Sequence, residues 1–400
     1  MEYLSGILAY TTATFPFKFH PLCSPLRLSH LMFADDLLLF CKGDVKSIMV
    51  ILRSFSTFSH ASGLQMNPTK TNAFFNGVPN DIKHEILQIS GVHEGLLPFR
   101  YLGVPITCGR MSKMDCSILV EKLITHIRSF GSKKLSYSGR LVLVFSVLTA
   151  FYNYWMNIFV IPKGVLNKVN SFCRNYLWDG RPDFIRCPRV SWEKICSHKS
   201  EGGLGLRDSH IWNIAAMGKL VWWIYYNPDR LWVKCVNQIY LKGQNWDDYQ
   251  PGTDISWGWK SVLDTKGYTI QSGYEILRQK FQTVTWDTQI WNTWCIPKHQ
   301  FIAWLVAREA LLLKERLLSL GIAVDADCLL CGKGIENHIH LFQTCEYARK
   351  IYDELGQLLN VALPATDLIM KLLKMRVSSR LQPNLVSRDV MWLSSVKLHL

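Results

Sequence analysis

The sequence predicts an α+β chain that is mostly helical, and three observations predict it. Two strand-length apolar runs meet at adjacent acids in Leu31-Met32-Phe33-Ala34-Asp35-Asp36-Leu37-Leu38-Leu39-Phe40, the pattern of a hairpin with carboxylates at its turn. Apolar residues recur at helical spacing near 112–130, 140–160, 210–226 and 301–320. Cys328, Cys331, His340 and Cys345 make a CxxC followed at short range by a histidine and a third cysteine. Four N/S donors of this kind satisfy tetrahedral zinc, and Gly332 relieves the tight turn after the cysteine pair.

Composition bounds the rest. A chain of 400 residues, 48% hydrophobic and 19% charged, can bury about two or three cores of ordinary size. A net charge of +14 favours an anionic partner, nucleic acid first, with membrane surfaces and acidic proteins still open. Met1-Glu2-Tyr3-Leu4-Ser5 lacks the basic start of a secretory leader, so a secreted protein is not expected and a nuclear or cytoplasmic one is. The twelve cysteines are then free thiols or metal ligands rather than disulfides.

Taken in order, the hairpin comes first. Adjacent acids repel and lose solvation beside apolar neighbours, so Asp35 and Asp36 call for a compensating divalent cation. Asn67-Pro68 is turn chemistry. From Leu141 to Pro162 run 22 residues without charge, long enough to span a bilayer. Ser146, Thr149, Asn153 and Asn157 nevertheless fall on one helical stripe, as on a bundle helix with a polar edge. All fifteen tryptophans lie at Trp155 or beyond, which separates the cores of the first 150 residues and the remainder. Glu201-Gly202-Gly203-Leu204-Gly205-Leu206 reads as a tight structural turn, because it lacks the lysine and hydroxyl residue of a phosphate-cradling loop. Arg174, Trp178, Arg181, Arg186 and Arg189 could track phosphates and stack on bases, although packing is the usual work of large aromatics. Gly321 is placed to stop the last helical stretch.

Several of these strings carry a family resemblance. Phe33-Ala34-Asp35-Asp36 resembles the metal-binding palm motif of reverse transcriptases, in the form found in plant non-LTR (LINE-like) retrotransposons. Ser62-Gly63-Leu64-Gln65-Met66-Asn67-Pro68-Thr69-Lys70 is similar to the next palm motif, and Leu97-Pro98-Phe99-Arg100-Tyr101-Leu102-Gly103 to the turn that supports the primer end. Leu135-Ser136-Tyr137-Ser138-Gly139-Arg140-Leu141 resembles the start of the thumb, and Trp178-Asp179-Gly180 with Trp192 and the glycine turn resembles the linker. From Trp286 through Phe301-Ile302-Ala303-Trp304 to Cys345 the chain resembles the zinc-binding domain of the same elements. His338 competes with His340, and the His-Leu-Phe string before the last cysteine favours His340; Asn337 stands where the family has a hydroxyl residue.

That resemblance implies a partial palm over 1–105, a thumb-like helical region over 106–200, a Trp-rich linker over 201–270, a zinc-binding domain over 271–360 and a tail over 361–400. It implies Mg²⁺ or Mn²⁺ at Asp35 and Asp36, a phosphate-side role for Lys70, nucleic-acid contacts at Arg100, Lys133, Lys134 and Arg140, and structural Zn²⁺ at Cys328, Cys331, His340 and Cys345. The partner would be RNA or DNA, such as an element transcript or an RNA/DNA hybrid. Two-metal phosphoryl transfer needs a further aspartate upstream, and the stretch before Asp35 holds only Glu2. The expectation is therefore a polymerase fragment inactive on its own, without a following ribonuclease H domain. Alternatives are a domesticated RNA- or DNA-binding protein and, third, a protein anchored by 141–162.

Overall fold

A computed structural model of the chain describes residues 2–107, 111–130, 135–182, 188–241, 268–293 and 295–358. Lys133, Lys134, Arg186 and the expected tail over 361–400 lie outside these residues, as does most of the linker beyond 241. Two compact units are formed, one of Met1–Asp115 with Ala215–Ile276 and one of Cys116–Ile214 with Leu277–Leu400.

In the first unit, helix α1 (Glu2–Thr14) packs on α2 (Val45–Ser62). Leu4, Leu8 and Phe58 are buried between them, and Thr11 Oγ1 meets Ser54 Oγ at 2.7 Å so that the buried hydroxyls satisfy each other. Asp44 caps α2 by accepting the Ser47 amide at 3.0 Å, and Gly63 at φ +72° ends it. The expected hairpin is present: β1 (His30–Phe33) pairs antiparallel with β2 (Asp36–Leu39), Phe33 opposite Asp36. Met32, Leu37 and Leu39 lay one face of the hairpin on the α1/α2 core, which leaves the turn projecting. Helix α3 (Asn80–Ser90) connects β3 (Asn72–Ala73) to the parallel β4 (His93–Glu94). A second hairpin joins β5 (Phe99–Tyr101) to β6 (Val104–Ile106) through Leu102 and Gly103, both at positive φ as a tight two-residue connection requires.

The second unit is helical. Helix α4 (Ser117–Ser129) and α5 (Tyr137–Leu143) pack on α7 (Lys163–Asp179). Helix α5 runs through a wide turn at Val144–Leu148 into α6 (Thr149–Met156). Thr149 produces that turn, its amide and its Oγ1 both reaching the Val144 carbonyl, the latter at 2.8 Å. The polar edge expected over 141–162 is consumed within the unit. Asn153 Oδ1 accepts from the buried Trp212 indole at 2.6 Å, and Asn157 Nδ2 donates to the Asn153 carbonyl at 2.7 Å. Asn213 then satisfies the helix end, donating to the Met156 and Phe159 carbonyls and accepting from the Ile161 amide. No helix among the described residues is long and apolar enough to cross a membrane.

One helical expectation is corrected. The stretch 301–320 is two helices, Pro297–Ala307 and Lys314–Ser319. The break comes at Glu309, whose φ of +51° lets the Ala310 amide bond the Leu305 carbonyl at 2.8 Å and close the first helix. Gly321 at φ +78° ends the second, with Ile322 bonding back to Leu317. Short helix α8 (Trp192–Cys196), the long helix α9 (Ser209–Tyr226) and short helix α10 (Leu231–Val236) follow α7 along the chain.

Candidate metal centre and palm hairpin

The Cys/His set converges. Cys328, Cys331, His340 and Cys345 place one donor atom each within 4.8 Å of one another, and among the described residues this is the one group of three or more potential ligands. Regular tetrahedral zinc with thiolates at about 2.3 Å needs donor separations of about 3.8 Å, so a small inward movement closes the set on an ion. Local backbone explains the convergence. Asp327 and Ile335 bridge antiparallel, Cys328 donates its amide to Gly334 and Gly332 donates to Cys328, which folds the CxxC loop back on itself. Gly332 and Gly334 carry φ of +67° and +76°. Buried Glu336 holds the Leu329 amide at 3.2 Å.

On the other side of the site, a wide turn over His340–Thr344 closes with the Cys345 amide on the His340 carbonyl at 2.7 Å. Five residues along an α-helix rotate by about 140°, whereas one wide turn brings residue i+5 back over residue i. His340 and Cys345 are thereby stacked on one side. Asn337 starts this turn by accepting the His340 amide at 2.8 Å, a capping bond that amide and hydroxyl side chains can both make. His340 Nε2 lies 3.2 Å from Cys331 Sγ, and its Nδ1 lies 3.3 Å from Thr344 Oγ1. His338 instead sits among Glu309, Glu315 and Arg316, where burial pushes its imidazole pKa down. Burial pushes the Cys328 thiol up, while a backbone hydrogen bond at Lys333 pulls Cys331 down. No disulfide joins the cysteines among the described residues.

A framework not singled out as such in the sequence supports this segment. Trp304 Nε1 and Arg308 Nε both donate to the Gly202 carbonyl, at 2.9 and 2.8 Å, and Arg308 Nη2 reaches the Glu201 carbonyl at 3.0 Å. Glu201 and Arg278 form a bidentate pair at 2.8 Å with both side chains under a tenth exposed. The glycine turn is thus structural. A Cβ on Gly203 would meet the Ser197 carbonyl oxygen at 2.0 Å. Only long-range contact reveals that Glu201 and Arg278 are partners.

The polymerase-like residues are disposed differently. Asp35 and Asp36 are exposed at the hairpin turn, next to Ala34 at φ +53°. Lys70 is exposed in a turn that Asn67 organises by accepting the Thr69 amide at 3.0 Å. Arg100 is exposed on β5, opposite Pro105. No third carboxylate, histidine or cysteine joins Asp35 and Asp36 in a ligand group among the described residues, so these residues alone do not fit a two-metal site. Arg140 is engaged within its own unit, donating to the Trp178 carbonyl at 3.0 Å with its guanidinium 5.5 Å from the Tyr137 ring. Arg189 likewise packs on Tyr137 and Trp178 and donates to the Tyr137 hydroxyl at 2.7 Å.

Residues 8–106 match the family described as reverse transcriptase (RNA-dependent DNA polymerase), and residues 268–352 match zinc-binding in reverse transcriptase. The chain resembles a plant retrotransposon reverse transcriptase. It is 28% identical over 161 residues to a putative ribonuclease H protein of Arabidopsis thaliana, covering 40% of this chain and 26% of that protein. It is also 27% identical over 111 residues to an uncharacterized mitochondrial protein of the same plant, covering 28% of this chain and 72% of that one. The alignment to the first relative spans only about a quarter of its length. The four convergent donors fall inside the segment matched as zinc-binding.

Proposed function

We propose that this chain is a zinc-holding, nucleic-acid-binding polypeptide derived from a retrotransposon polymerase, and that these 400 residues alone do not copy RNA into DNA. The observation that carries the reading is the convergence of Cys328, Cys331, His340 and Cys345 within the matched zinc-binding segment. Zinc there would be structural. Four protein donors fill its coordination, and its contribution is to fold the loop around residues 326–346.

Asp35 and Asp36 are assigned as metal-chelating carboxylates, Lys70 as a phosphate-side cation and Arg100 as support for the primer end. The exposure of all four suits groups that meet nucleic acid or ions. Synthesis would require a further carboxylate from beyond these 400 residues, for which Asp35 and Asp36 supply part of the ligand set.

Purified protein should carry about one zinc per chain. Cys328→Ser and Cys345→Ser should each lose it, and unchanged metal content in both would exclude this ligand set. Template and primer with Mg²⁺ should give no extension. Extension abolished by Asp35→Ala would show that another acid of this chain completes the site.

A further inference from the structure

Between the two matched segments, the first unit holds a cluster of cations and aromatics that the metal centre and the hairpin do not use. Helix α9 carries Lys219 and Trp223 one turn apart, and the turn after it returns Arg230 to the same indole. The Lys219 ammonium lies 4.7 Å from the Trp223 ring centre and the Arg230 guanidinium lies 4.0 Å from it. Two like charges are thus gathered on one ring, and among the described residues neither has an ion pair. The nearby carboxylate of Asp229 faces Lys234 instead, at 3.7 Å. Burial, and then the charge of Arg230, push the Lys219 pKa down, as expected of a cation held without an anion.

Exposed π-surface adjoins the pair in sequence and on the same helix. Trp222 and Tyr226 stack at 4.8 Å with ring planes 25° apart, and Tyr226 is 52% exposed, so the stack has a solvated aromatic end. Trp232, two residues beyond Arg230, is 41% exposed. Cations held on one indole beside open aromatic rings are the chemistry that takes a phosphate and the base attached to it. A duplex hides its base faces, whereas a single strand offers them.

We propose that Lys219 and Arg230, held together on Trp223, bind backbone phosphate of single-stranded nucleic acid while Tyr226 stacks on a neighbouring base. This rests on the nucleic-acid-binding reading above and adds a site outside both matched segments.

The test is binding of a short labelled oligothymidylate to the full chain across a range of salt. The variants are Lys219→Gln with Arg230→Gln, Tyr226→Ala, and a control with equal loss of charge, Lys46→Gln with Lys113→Gln, at two exposed lysines. Near-UV circular dichroism and zinc content verify that each variant is folded. The Lys219/Arg230 variant should weaken binding and flatten the salt dependence by roughly 1.4 in slope, about 0.7 per cation. Tyr226→Ala should weaken oligothymidylate binding about tenfold. Wild-type affinity and slope in the Lys219/Arg230 variant would overturn the site and leave the broader reading standing, as would an equal loss in the control. Loss of binding to phosphatidylserine vesicles with oligothymidylate unaffected would overturn it in favour of a lipid surface. A wild-type chain that binds no oligothymidylate would overturn this site, and one that also binds no RNA/DNA hybrid would overturn nucleic-acid binding by the chain.

Discussion

Arg278 and Glu201 show how much a single residue can carry. The pair is buried and bidentate, and removing one partner leaves the other charge desolvated and unpaired. Arg278→Ala should therefore lower stability by about 3–5 kcal/mol in urea unfolding at neutral pH. Burial raises the Glu201 pKa, but the Arg278 hydrogen bonds and charge outweigh it and hold the carboxyl below its ordinary value. A depressed folded-state value means that this stabilisation is present above the unfolded pKa and is lost as pH falls through the folded one. The gap between wild type and Glu201→Gln should accordingly shrink on acidification below about pH 4, and a gap independent of pH would show that the charge contributes nothing. Gly203→Ala is a steric counterpart. Its Cβ would meet backbone rather than a movable side chain, so a loss on the order of 3 kcal/mol is expected, again read from the urea midpoint.

At the scale of an element, the wide turn over His340–Thr344 is the register device of the metal centre. Four intervening residues suit one wide turn and do not suit an α-helix, in which His340 and Cys345 would diverge by about 140°. Deleting Gln343 leaves every ligand type in place and removes the spacing. Zinc content should fall as far as in Cys345→Ser, and a deletion variant that keeps its zinc would show that the turn is incidental. Much of this element was legible, since the CxxC, the histidine and the last cysteine stand in the sequence at recognisable intervals. The break at Glu309 was not. The apolar pattern runs across 301–320 without interruption, and the helix stops where Arg308 and Trp304 dock on the Gly202 carbonyl, a contact made over a hundred residues away in the chain.

For the molecule as a whole, the zinc set and the acidic hairpin belong to different compact units. Metal removal should act on the unit that holds the ligands. Adding a chelator should raise amide hydrogen exchange across 326–352 and leave the hairpin at 30–39 unchanged. Exchange rising equally at both would mean that the metal governs the folding of the entire chain.

The sequence by itself determined the hairpin, its paired acids, the helical character of the remainder and the chemical identity of the four donors proposed for zinc. Those features are written in short-range terms: alternation, helical spacing, turn residues and a two-residue gap between thiols. Tertiary structure decided the rest. It brought His340, the histidine the sequence favoured, together with the three cysteines and left His338 outside that group. It set Arg140 and Arg189 beside Tyr137 and Trp178, and left Lys219 and Arg230 gathered on Trp223 without an ion pair among the described residues. An arginine beside a tryptophan in sequence reads the same in either role, because its use depends on which distant carbonyl, ring or carboxylate the fold brings to it.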